Sequence, residues 1–174
     1  MGWGNCWCER TSNRTTKKKQ RKYYSGKKKK HSLKSQIVID KKSAKIICTN
    51  VGQGRRHDFY LLKNSKVHIK EPIKLLADSG YQGINKLHTN SDLPKKNTRK
   101  NPLTKQEKEN NHEISSKRVL VENVIRKVKI FRIMAEKYRN RRRRFTLRLN
   151  LIAGIINDEL WKRSIVNLWN LWQK

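Results

Sequence analysis

The sequence predicts a mixed α/β domain, and three patterns carry that expectation. Two β-branched runs, HSLKSQIVID at 31–40 and AKIICTNVG at 44–52, flank a short polar turn and predict an antiparallel hairpin. A third apolar run, in IKLLADSGYQG at 73–83, ends at Asp78 and a Ser-Gly turn, the mark of a buried strand. Two later segments repeat apolar residues every three or four positions, which predicts long helices from Ser115 to Lys137 and from Phe145 onward.

The remaining elements follow in order. Residues 1–16 have no apolar periodicity and are expected to be disordered or a poorly formed entry segment. After the hairpin, HDFYLLKNSKV from His57 predicts a short helix beginning at Phe59, with Asp58 as its N-cap. Residues 84–112 are polar and basic, punctuated by Pro94 and Pro102, and predict an exposed excursion with a short strand near Leu93. In the first long helix Val121, Val124, Val128 and Phe131 form one apolar stripe, with Ile125 at its edge. Arg118, Glu122, Arg126 and Lys129 fall in an adjacent stripe no more than about 80° wide. The last helix, FTLRLNLIAGIINDEL, is expected to pack through Leu147, Leu151, Ile152 and Ile155 or Ile156. Its tail, 161–174, carries Trp161, Trp169 and Trp172 at helical spacing, expected to pack on the body or on another chain.

Charge bounds the function. The chain has 174 residues, about one domain, with 44 Lys and Arg against 13 Asp and Glu and a formal net charge of +31. Such a surplus calls for a polyanionic partner, DNA or RNA, because neutralised phosphates release condensed counterions. The run KKKKH, which holds Lys27 and Lys28, and the run RNRRRR at 139–144 read as faces that bind phosphate without reading bases. No apolar run is long enough to span a membrane and the N-terminus lacks a signal-peptide core, so a cytoplasmic, nucleoid-associated protein is expected. Cys6, Cys8 and Cys48 make an odd number in a basic chain, which argues against a disulfide framework.

Against that background two acids stand out. Asp78 closes a buried strand and Glu122 flanks the buried face of a helix, so the two carboxylates could share a divalent ion, Mg²⁺ or Mn²⁺. The plainer alternatives are an ion pair of Glu122 with Arg118 or Arg126, and a turn-forming role for Asp78.

The spacing of Arg118, Glu122 and Lys129 resembles the C-terminal signature of DDE transposases of the bacterial insertion-sequence type, in the IS4 and IS5 grouping. That signature has a tyrosine three positions before the arginine, where this chain has Ser115. YYSGKKKKHSLKSQIVID, GRRHDFYLLKNS, ADSGYQGINKLH and FTLRLNLIAGIINDEL resemble further blocks in the family's order, over residues 17–160. The resemblance implies an RNase H-like fold, a mixed sheet flanked by helices, in which three acids hold two Mg²⁺ ions that cut transposon ends and join them to target DNA. Asp78 matches the second acid and Glu122 the third, both catalytic and metal-binding; Arg118 and Lys129 match residues expected to hold DNA, joined here by Arg126, Lys27 and Lys28. A second copy or a full-length transposase is an expected partner.

The first acid has no match. Counting back from Tyr23 to its usual place lands near Trp7, in NCWCERTSNRT, and Glu9, Asp40 and Asp58 do not fill the role. The first strand is therefore expected to be missing or degraded, and the chain to be N-terminally truncated and impaired in catalysis. Residues 11–16, TSNRTT, can be encoded so that a frame one base along reads Arg-Gln-Ile-Glu-Arg-Pro, close to the family's text, which suggests a frameshift in the codons of Lys17 to Lys19. The single codon of Trp7 shifts to one for glycine, so a repaired frame would not restore aspartate there. The alternative is a non-catalytic basic protein that binds DNA and interferes with a full-length transposase.

Overall fold

The computed structural model describes residues 3–12, 20–26, 29–65, 67–99, 101–138 and 142–172, with the backbone alone described at 3–10, 12, 20, 142, 164–168 and 170–172. Among these residues six strands form one sheet: β1 (Trp3–Ser12), β2 (Tyr24–Ser25), β3 (Lys30–Asp40), β4 (Ile46–Gln53), β5 (Lys74–Ala77) and β6 (Ser91–Asp92). The helices are α1 (Asp58–Asn64), α2 (Lys105–Ile130), α3 (Arg132–Ala135) and α4 (Phe145–Trp172). Across the sheet the main order is β4, β3, β1, β5, β6, and the short β2 pairs with the start of β3. β3 runs antiparallel to both β1 and β4, whereas β5 is parallel to β1 and to β6.

The N-terminus corrects the expectation most sharply. Residues 3–12 are not disordered, and the first strand is not missing: β1 is the middle strand of the sheet, paired from Gly4 to Ser12 with β3 and from Trp3 to Cys6 with β5. Tertiary pairing on both edges overrides a composition that carries no strand signal of its own. Thr11 ties the strand's end to the helical layer by donating its hydroxyl to Met134 O at 3.0 Å.

Alternation along the strands sends side chains to two cores. On one face Leu33, Ile37 and Ile39 of β3 meet Val121, Val124, Ile125 and Val128 of α2 and Phe145, Leu149, Ile152 and Ile156 of α4. On the other, Val38 packs with Leu75 and Ala77 of β5, Leu62 of α1, and Tyr81 and Ile84 from the segment after β5. The hairpin of β3 and β4 forms as the β-branched runs predict. Its turn is closed by Asp40, whose carboxylate accepts from the Ser43 amide at 2.8 Å and hydroxyl at 2.6 Å; the hydroxyl bond leads the causes that hold this carboxyl below its ordinary value.

Three helix expectations change. α2 begins at Lys105, ten residues before Ser115, because Thr104 and Glu107 form a reciprocal capping box, so the end of the supposed excursion, from Lys105 on, is helix. It ends at Ile130, where Phe131 turns extended, and the expected stretch to Lys137 is interrupted before the separate turn of α3. α1 starts at Asp58 with His57 in the cap position, and Asp58 makes an ion pair instead of capping. α4 buries Phe145, Leu149, Ile152, Ala153 and Ile156 and exposes Leu147, Leu151 and Ile155, a rotation of the expected face that keeps only Ile152 and Ile156. The tail is a continuation of α4, on which Trp161 and Trp169 are exposed, and the side chain of Trp172 lies outside the described residues.

α4 holds the sheet by more than apolar contact. The side-chain amide of Asn157 accepts from Ile46 N at 2.8 Å and donates to Ile46 O at 2.9 Å, pairing with the backbone where β4 begins. Asn157→Ala strands both backbone groups, so it is expected to cost about 1–3 kcal/mol of unfolding free energy. The readout is the urea midpoint; a variant that melts with the wild type would show that β4 does not depend on this amide.

Candidate functional site

β5 is a short strand whose last three residues, Leu75, Leu76 and Ala77, are buried, and the chain emerges at Asp78. Asp78 keeps extended backbone angles and its carboxylate accepts from the Ser79 amide at 2.7 Å, capping the helical turn Ser79–Tyr81. The turn-forming role expected of Asp78 is therefore real, and it leaves the side chain one-third exposed. Gly80 has no room for a side chain, since a Cβ there would fall 2.2 Å from Asp58 Oδ2.

α2 passes this strand end with the stripe that follows its buried face. Arg118 reaches Asp78, guanidinium Nη1 to carboxylate Oδ1 at 3.2 Å, with the arginine side chain 15% exposed. Glu122 lies one helical turn further, about 6 Å along the axis, and is exposed. Arg118 therefore serves Asp78, not the glutamate, and among the described residues Glu122 makes no ion pair. Arg126 and Lys129 are exposed on the same strip. The structure thus brings Asp78 and Arg118 into contact, leaves Glu122 beside them facing solvent, and sets two further cations along the helix. Lys27 and Lys28 lie outside the described residues, as do 139–141 of the arginine run.

The register of β1 bears on the unmatched acid. Cys6 pairs with Ala77 in the parallel ladder, so Trp7, the next residue, is level with Asp78, and on its other side Trp7 pairs with Ile37. The counted position and the strand register coincide.

A second charged pair lies under the turn that follows β4. Lys34, on the same face of β3 as Val38, is 2% exposed, and its ammonium donates to Asp58 Oδ1 at 2.5 Å and to the Arg56 carbonyl. This pair joins β3 to α1, and Asp58 in turn abuts Gly80 of the Asp78 turn. The sequence reading missed Lys34, although its place on the inward period of a β-branched strand was visible. Lys34→Met leaves the Asp58 carboxylate without its cation and is expected to destabilise the fold by about 3–5 kcal/mol, with much of the loss recovered in Lys34→Met/Asp58→Leu. Chemical denaturation of the four-member cycle measures this, and additive losses would rule out the coupling.

As to chemistry, two carboxylates offer hard oxygen donors suited to a divalent ion that keeps several waters. Among the described residues no group of three or more His, Cys, Asp or Glu side chains could hold a metal. No helix among them is long and apolar enough to cross a membrane.

Comparison with known proteins gives concordant results. Residues 7–157 match the family model described as DDE superfamily endonuclease. The chain is 52% identical over 130 residues to a protein of Microchaete diplosiphon described as a probable transposase for insertion sequence element IS702. That alignment covers 75% of this chain and 47% of the relative, so the chain spans about half of that protein's length. No solved structure matches.

Proposed function

Because this chain belongs to the DDE superfamily endonucleases, we propose that it is the catalytic domain of a DNA transposase whose cutting chemistry is impaired by loss of its first acid. The observation that carries the reading is the meeting of β5 and α2: Asp78 leaves the end of a buried strand and is gripped by Arg118, one turn from Glu122. The strand order supports an RNase H-like fold, since the middle strand β1 has an antiparallel hairpin on one side and two parallel strands on the other.

In an intact site, divalent ions would activate the attacking oxygen and stabilise the leaving oxygen of a phosphodiester. Asp78 and Glu122, as hard oxygen donors, would hold one Mg²⁺ or Mn²⁺ ion with its waters. They do not fit a two-ion site, because the position level with Asp78 on β1 is Trp7 and an indole donates no oxygen. The work left to this chain is to hold DNA: Arg126 and Lys129 present charge beside the acids, and Arg118 moves between the Asp78 carboxylate and a phosphate. Lys27 and Lys28 add to that charge. A DNA-binding protein that does not cleave, and that competes with a full-length transposase for its sites, is the second reading. The net charge of +31 favours it independently of the acids.

A nicking assay on supercoiled DNA with Mg²⁺ or Mn²⁺ separates these readings. The wild type is expected to nick no faster than the metal-free control. Trp7→Asp is expected to gain metal-dependent nicking that Trp7→Asp/Asp78→Ala loses. Metal-dependent nicking by the wild type, abolished in Asp78→Ala, would overturn the impairment; no gain in Trp7→Asp, with DNA binding intact, would leave the second reading.

A further inference from the structure

The end of the sheet where β4 finishes carries a feature that the acids do not use. Two adjoining concavities, of about 560 and 460 Å³, share Gln53, Arg56 and Tyr60. Lys22, Arg55, Arg56 and Arg143 line them, and among the described residues no acidic side chain does. The Arg56 guanidinium lies over the Tyr60 ring, 4.4 Å from its centroid, and Tyr60 remains 42% exposed.

The turn that presents these groups is built, not loose. Gly54 is buried, and a Cβ there would meet Ser32 Oγ at 2.2 Å and Ser32 O at 2.5 Å, while its amide donates to Ser32 O at 3.0 Å. The Arg56 amide donates to Gln53 O at 3.0 Å, and the Arg56 carbonyl accepts from the buried Lys34 ammonium. Backbone held on both sides in this way spends little ordering entropy when a ligand arrives.

The chemistry of the lining selects the ligand. Cations without acids recruit phosphate, whereas an exposed aromatic ring with a planar guanidinium beside it recruits a flat π-face. Duplex DNA offers the first but hides the second within its stack; an unpaired strand offers both. Concavities of this size suit small groups entering from a strand and not the convex wall of a duplex. We infer that this trough binds an unpaired stretch of DNA, with phosphates on Lys22, Arg55 and Arg143 and a base stacked on Tyr60 beside Arg56. The inference rests on the reading of the chain as a DNA-acting protein and adds the kind of strand it takes.

The test is fluorescence anisotropy of the full chain with labelled oligodeoxythymidylate and with a duplex of equal length, at one fixed salt concentration. Tyr60→Leu is expected to weaken oligonucleotide binding by roughly 5- to 150-fold and to leave duplex binding within about twofold. Tyr60→Phe is expected to bind as the wild type does, and Arg55→Gln/Arg56→Gln to weaken oligonucleotide more than duplex. Thermal melts establish that each variant is folded; should Tyr60→Leu not fold, the arginine pair decides. Equal losses on both DNAs, or no loss on either, would overturn the inference while leaving the chain a DNA binder. A wild type that binds neither DNA would instead sink the functional reading beneath it.

Discussion

The parallel pairing of β1 with β5, in which Cys6 lies opposite Ala77, sets the arrangement of the whole sheet. It joins the antiparallel half of the sheet to the parallel half, and so lets two cores form back to back on one set of strands. It also fixes what stands beside Asp78. A strand slipped by one residue would turn every β1 position to the opposite face. The arrangement at the end of β5 is thus a consequence of register, and register is held by nine pairings with β3 as much as by the four with β5.

Around that sheet two acids near the strand ends are each met by a base. Asp58 takes the buried Lys34, and Asp78 takes Arg118. The first pair is structural: two ions removed from water must find each other, and removing one leaves the other uncompensated. The second is only partly buried and can open. The same electrostatics that stabilises the free protein would therefore yield when a phosphate or a cation competes for its members, while the net charge of +31 raises the local concentration of anionic polymer.

Much of this was legible beforehand and some was not. The β3–β4 hairpin, the strand ending at Asp78 and the buried stripe of Val121, Val124 and Val128 follow from periodicity, which reports burial directly. The earlier start of α2 was also written in the chain, as Thr104 followed three residues on by Glu107, and went unread beneath polar composition. β1 was not legible: Trp-Gly-Asn-Cys-Trp-Cys-Glu-Arg has no alternation, and its extended form is imposed by neighbours distant in sequence. Nor did spacing reveal whether Arg118 pairs with Glu122, one turn away on its own helix, or with Asp78 on another element. Only the packing of α2 across the end of β5 decides between them. The rotated face of α4 has a similar origin, since Leu147 and Leu151 are as apolar as Leu149 and Ile152, and the sheet's shape chooses among them.

On the proposed reading, Asp78 and Glu122 are two ligands of a metal site and Trp7 stands where the third belonged. Electron paramagnetic resonance titration of Mn²⁺ tests it without any requirement for cleavage. Trp7→Asp is expected to bind Mn²⁺ at least tenfold more tightly than the wild type, with the gain erased by Asp78→Ala or Glu122→Gln in that background. Equal Mn²⁺ affinity in wild type and a folded Trp7→Asp, or a gain indifferent to Asp78 and Glu122, would show that these residues do not form such a site.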